Sequence, residues 1–131
     1  MSANAFNVRS DLRLKKNVVD LEDKDLEKFK DIKVIKYNMI DRPYEARKKG
    51  EKLSDAEIDK KTHFGLSAQQ LESIYPNVIY PAKQMIPSWT EEGNYKEIEI
   101  EAKSYSVSDM LALSIKKIQQ LEARVKELES K

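Results

Sequence analysis

Cysteine is absent from the 131 residues, and histidine occurs once, as His63. The first absence excludes disulfides and thiolate metal sites, and the second argues against a histidine-built zinc site. Only three glycines are present, Gly50, Gly65 and Gly93, and no glycine-rich phosphate loop can be assembled from them. No apolar run reaches the length of a membrane span, and residues 1–15 are too polar for a signal peptide. Charge of one sign is missing as well. With 24 basic and 23 acidic residues the formal net charge is +1, so neither nucleic acid nor an anionic membrane has a long-range attraction to exploit. The expectation is a soluble protein made and used in the cytoplasm, with no metal and no cofactor.

What is present suffices for one modest domain. Hydrophobic residues make up 40% of the chain and charged residues 36%; aromatic and β-branched residues recur throughout, which argues against disorder. Residues 1–9 read as an extended lead-in. Residues 23–31 read as a helix, with Leu26 and Phe29 three apart and Asp23 and Asp25 at the positive end. Ile32–Ile40 is strand-like. Residues 41–62 form a charged excursion, expected as an exposed loop with one helical turn near Asp55–Lys60. Ser67–Tyr75 predicts a short helix with Leu71, Ile74 and Tyr75 on one side, ended by Pro76. Pro81, Pro87 and Gly93 suggest a loop-rich stretch around Trp89. Over Lys96–Tyr105, Ile98, Ile100 and Ala102 alternate with Glu97, Glu99, Glu101 and Lys103, the pattern of a strand with one wet face. The predicted class is α+β: a small mixed domain over 10–105 followed by a coiled-coil helix over 106–131.

From about Ser108 a heptad frame fits. Leu111, Ile118 and Val125 fall at a, and Ser114, Leu121 and Leu128 at d. Lys117, Arg124 and Lys131 occupy g; Glu122 and Glu129 occupy e, with Ile115 as the exception. In a parallel assembly Lys117 faces Glu122 and Arg124 faces Glu129 on the neighbouring copy, which favours self-association over a helix docked only on its own domain. The number of copies stays open. β-branched residues at a with Leu at d favour dimers, whereas Ser114 and Ile115 weaken that rule.

Residues 10–18 read Ser-Asp-Leu-Arg-Leu-Lys-Lys-Asn-Val. A serine hydroxyl needs a base to become a nucleophile, and a lysine can supply it if burial or a neighbouring cation disfavours its charged form. Lys15 lies five residues after Ser10, with Arg13 and Lys16 nearby. By spacing alone this is a weak signal, and a capped turn followed by a basic strand is the competing reading.

This nonapeptide closely resembles the opening motif of the peptidase S74 intramolecular chaperone domain, approximately Ser-Asp-x-Arg-x-Lys-x-Asn-Ile, with Val18 in place of isoleucine. That family is found at the C-termini of phage endosialidases, tail spikes, tail fibres and neck appendages, and in myelin regulatory factor-like proteins. A second, looser block runs from His63 to Leu71 and on through Tyr75-Pro76-Asn77-Val78, resembling the family's Gly-Phe-Ile-Ala-Gln-Glu-Val segment. Tyr105 through Leu121 resembles its terminal helix. The resemblance implies a homotrimer that registers an upstream β-helical or β-prism shaft of the same polypeptide in the host cytoplasm during virion assembly. It also implies one self-cleavage, at Arg9–Ser10, with Ser10 and Lys15 as a serine–lysine dyad, after which the domain leaves the mature fibre. The alternative is a structural trimerisation module that does not cleave. A third reading, a similar domain within a membrane-tethered transcription factor, requires a membrane span and a DNA-binding region, neither of which this sequence contains, so it holds only if the sequence is a fragment.

Other residues have plainer readings. His63 could polarise the site but reads better as a polar residue at a strand start. Gln69 could orient Lys15 or cap a helix. Trp89 could grip a shaft or anchor its own loop. Arg42, Arg47, Lys48 and Lys49 are interleaved with Glu45, Glu51 and Asp55, which indicates a solvated loop rather than a phosphate site.

Overall fold

A computed structural model describes residues 10–40, 58–89 and 95–131. Arg9, the basic cluster Arg42, Arg47, Lys48 and Lys49, and most of the charged excursion lie outside the described residues. The chain divides into two units, Asp31–Tyr105 and a second formed by Met1–Lys30 with Ser106–Lys131.

The Asp31–Tyr105 unit holds two antiparallel two-stranded sheets. In the first, β1 (Val34–Tyr37) pairs with β2 (His63–Leu66), Val34 opposite Leu66 and Tyr37 opposite His63. An isolated bridge between Ile40 and Ile58 continues the antiparallel approach, and Ile58 therefore is not part of the helical turn expected near Asp55–Lys60. The Tyr37 ring stacks on His63 at 5.5 Å and reaches diagonally over Gly65. A Cβ on Gly65 would sit 3.3 Å from Tyr37 Cε1, tighter than an ordinary contact, so the missing side chain lets the Tyr37 ring lie close over this strand.

A short helix, α1 (Ala68–Glu72), follows. Ser67 caps it, its hydroxyl accepting the Gln70 N–H at 3.2 Å, and Pro76 opens a 3-10 turn over Pro76–Val78 just beyond. Leu71 is fully buried and Val78 nearly so; they form the core of this unit. Lys103 on β4 pairs with Glu72 and ties the helix to the second sheet.

That second sheet corrects the sequence reading. The stretch around Pro81 and Pro87, expected as loop, is the strand β3 (Ile79–Trp89), paired along its whole length with β4 (Tyr95–Tyr105). Prolines break central strands because they cannot donate to a neighbour on either side. In a two-stranded ladder each strand keeps one free edge. Pro81 and Pro87 are an even number of residues apart, so their nitrogens face the same edge, and a two-stranded ladder accommodates them when that edge is the free one. β4 follows the expected alternation, with Ile98, Ile100 and Ala102 half-buried and Glu97, Glu99, Glu101 and Lys103 exposed.

Residues 23–31 form two 3-10 turns, Asp23–Leu26 in the other unit and Phe29–Asp31 ending at the first residue of the Asp31–Tyr105 unit, instead of the single helix expected. Residues three apart eclipse in a 3-10 turn, so the Leu26–Phe29 spacing serves this geometry too. Glu22 N–H donates to Asp25 at 2.8 Å and fixes the first turn. Leu26 is buried, as are Met110 and Leu113 of the long helix α2 (Val107–Glu129). Gln120 Nε2 donates to Asp23 Oδ1 at 2.9 Å beside them. Ser106 caps α2 by accepting the Asp109 N–H at 3.1 Å. Met110 and Leu113 thus point one face of α2 inward, while Leu111, Ile115, Ile118, Leu121, Val125 and Leu128 stay 48% to 62% exposed in the single chain. Among the described residues no helix is long and apolar enough to cross a membrane.

Leu71→Ala tests the core assignment directly. Removing a fully enclosed leucine is expected to cost about 2–5 kcal/mol in urea unfolding, whereas a loss below about 1 kcal/mol would place Leu71 outside the core.

Candidate active site

The segment Ser10–Val18 is built around one tight turn. Leu12–Leu14 form a 3-10 turn, closed by Leu14 N–H to Asp11 O and Lys15 N–H to Leu12 O, both at 3.0 Å. Asp11 is its N-cap: Oδ1 accepts the Arg13 backbone N–H at 2.9 Å, satisfying a donor that the turn leaves without a partner. Ser10 precedes the turn and Lys15 leaves it, with Asp11 and Lys15 in extended backbone on either side, and the Ser10 and Lys15 side chains meet across it. Lys15 Nζ donates to Ser10 Oγ at 2.9 Å.

Arg13 is not the unengaged neighbour of Lys15 that its position in the sequence suggests. Its guanidinium grips Asp11, Nη2 to Oδ2 at 2.7 Å and Nε to Oδ1 at 3.1 Å. The Arg13 side chain, followed by its backbone N–H, holds the Asp11 carboxyl below its ordinary range; Asp11 in return pushes the guanidinium up. Two residues beyond Lys15, Asn17 has φ 58°, the left-handed region in which asparagine is tolerated better than most residues. The reversal there turns the chain away, and residues 15–20 do not form the basic strand of the competing reading.

Ser10 and Lys15 are therefore brought together, and both are exposed in the single chain. Leu12 and Leu14, on the turn between them, are exposed too. The bond expected to break, Arg9–Ser10, has its Arg9 side outside the described residues.

The remaining candidates have structural partners. His63 is the first residue of β2, with Nε2 3.1 Å from Asp59 Oδ2. The Lys61 backbone N–H, then His63, holds the Asp59 carboxyl below its usual range. Gln69 is exposed on α1. Its neighbour Gln70 does the organising work instead: Nε2 donates to Asp31 O at 2.8 Å, and Oε1 accepts the Lys33 N–H at 3.2 Å. That two-point clamp on the backbone entering β1 went unread in the sequence because only the fold reveals which of two adjacent glutamines faces inward. Trp89 is the last residue of β3, not a loop residue. Among the described residues no cluster of His, Asp and Glu is arranged to hold a metal ion.

None of the curated proteins compared with the chain matches it. The family model for peptidase S74, described as chaperone of endosialidase, matches residues 10–80. That span is more than half of the chain, beginning at Ser10 and taking in the capped turn, β1, β2, α1 and the 3-10 turn after it. The chain belongs to the peptidase S74 family, the chaperone of endosialidase.

Proposed function

We propose that this chaperone domain trimerises, registers an upstream β-helical or β-prism shaft of its own polypeptide, and then releases itself by cleaving the Arg9–Ser10 bond. The observation that carries the cleavage is the 2.9 Å contact between Lys15 Nζ and Ser10 Oγ. With a neutral amine the same contact runs the other way, the hydroxyl donating to the nitrogen lone pair. Lys15 would take the hydroxyl proton as Oγ attacks the Arg9 carbonyl carbon through a five-membered ring. Collapse breaks the C–N bond, and Lys15 returns the proton to the departing Ser10 nitrogen. The product is an ester between the Arg9 acyl group and Ser10 Oγ. Water then hydrolyses it, leaving a carboxylate on Arg9 and a free amine and hydroxyl on Ser10.

Support for self-association comes from the outward stripe on α2. Five large apolar side chains lie along it at a and d positions, with Ile115 beside them at e, an exposure of the kind soluble monomers avoid. Ser114, the polar residue at d, already donates to Met110 O at 2.8 Å. It can therefore enter an interface with its hydroxyl proton satisfied. In the single chain Glu122 pairs with Lys126 and Arg124 with Glu127; these exposed pairs are weak enough to be exchanged for contacts between copies. A shaft rich in non-local strand pairing folds slowly, and three tethered ends raise its effective concentration. Cleavage afterwards makes the assembly hard to reverse. The proposed setting is the host cytoplasm during virion assembly, with no nucleic acid, membrane or cofactor involved.

A second reading, a trimerisation module that does not cleave, is favoured by the exposure of both Ser10 and Lys15, since nothing in one copy strips water from the pair.

Sedimentation equilibrium is expected to show a trimer, and Ile118→Asp to weaken it. A monomer at every concentration would contradict the assignment of α2, and a dimer would contradict the copy number. In shaft fusions Ser10→Ala is expected to assemble normally but keep the upstream segment attached, as read on denaturing gels. Lys15→Arg should block cleavage as well, because arginine keeps its proton at physiological pH. The wild-type rate should rise with pH and then level off. Wild-type processing of either variant would remove that residue from its role.

A further inference from the structure

The contact between Lys15 and Ser10 has a competitor on its own turn. Asp11 stands four residues before Lys15, close enough in sequence for a carboxylate to pair with an ammonium group. Such a pair would draw Nζ away from Ser10 Oγ. It would also favour the protonated lysine, which cannot accept a proton. In the structure the carboxylate is engaged elsewhere. Arg13 Nη2 lies 2.7 Å from Oδ2, Nε lies 3.1 Å from Oδ1 and 3.2 Å from Oδ2, and the Arg13 backbone N–H takes Oδ1 at 2.9 Å. Both oxygens are held by one residue, and Lys15 is left to Ser10.

We propose that Arg13 is a positioning residue for self-cleavage: by occupying the Asp11 carboxylate it keeps that anion off Lys15 and leaves Lys15 Nζ to the Ser10 hydroxyl. The inference rests on Ser10 and Lys15 being the cleaving pair. A guanidinium suits the task because its planar fork meets both carboxylate oxygens at once, which a point-like ammonium does not. Asp11 itself cannot simply be dispensed with, since the same carboxylate caps the turn that sets Ser10 against Lys15. The turn thus needs an acceptor at position 11 and a cation that claims its charge. Lys15 lies within electrostatic reach of Asp11 and contributes to holding its carboxyl low, behind the two Arg13 contacts. Lys16 is the other ionisable side chain adjoining Lys15 on this segment, and its charge acts in the same direction in every variant below.

The test uses the full chain with its upstream shaft attached. Cleavage rates are measured across pH for wild type, Arg13→Gln, the double variant Asp11→Asn with Arg13→Gln, and Ser10→Ala. Arg13→Gln is expected to cleave about tenfold more slowly at neutral pH, with its rate profile moved upward by about one pH unit, the effect of an unmasked neighbouring carboxylate. The double variant should recover most of the rate and the original profile, because asparagine still supplies the capping acceptor but carries no charge. If Arg13 merely stabilises the turn, Arg13→Gln will be slow at every pH without a shifted profile, and the double variant will be no faster. Either result overturns the proposal, as does Arg13→Gln cleaving like wild type. A wild-type chain that stays intact, or a Ser10→Ala chain that is cut, would strike instead at the cleaving pair.

Discussion

Among the described residues, one copy of this chain buries little apolar surface: five apolar side chains, Leu26, Met110 and Leu113 in one unit and Leu71 and Val78 in the other. Long aliphatic residues remain in water on α2 and along Leu12–Leu21. For a small domain this is a thin core, because hydrophobic burial is the main term set against chain entropy. The polar devices around it are correspondingly complete. Ser67 and Ser106 cap the two helices, Asp11 caps the turn, Gln70 clamps the entry to β1, and Glu72 holds Lys103. Part of the apolar surface left over lies along one stripe of α2, from Leu111 to Leu128, and part along Leu12–Leu21.

The candidate site depends on the same economy. Ser10 and Lys15 meet because a turn of one residue triplet is closed between them, and that turn is held by hydrogen bonds rather than by packing. A pair placed this way is geometrically ready in one copy but still hydrated. Association that covered Leu12 and Leu14 would remove water from the pair without rearranging it, and every electrostatic contact there would strengthen in the drier surroundings. The carboxylate of Asp11 is the one group on the turn able to spoil the arrangement, and it is the group most heavily bonded.

Much of this was legible in the sequence, and the exceptions share a cause. The alternation of Ile98, Ile100 and Ala102 announces β4, and the serines before α1 and α2 announce their starts. The heptads announce the outward stripe, since periodicity reports which face is apolar whether or not anything covers it. The motif Ser10–Val18 singles out the two side chains that the fold sets in contact. Residues 79–89 were misread because proline is informative only when the number of neighbouring strands is known, and a free edge changes its meaning. Residues 23–31 carry a spacing common to α and 3-10 geometry. Gln70 could not be told from Gln69, nor the grip of Arg13 on Asp11 from a loose cluster of charges, because each depends on side-chain direction. Asn17 is the intermediate case: asparagine after a basic run is compatible with a left-handed turn but does not require one.

The central claim is that this chaperone domain cuts its own chain before Ser10. Its most direct test is the intact mass and N-terminal sequence of the material purified after expressing the domain behind its shaft. The expected result is two polypeptides, one ending in Arg9 and one beginning at Ser10, their masses summing to the full chain plus one water. A single uncut chain recovered from a correctly assembled oligomer would contradict the claim, as would a new N-terminus at any other residue.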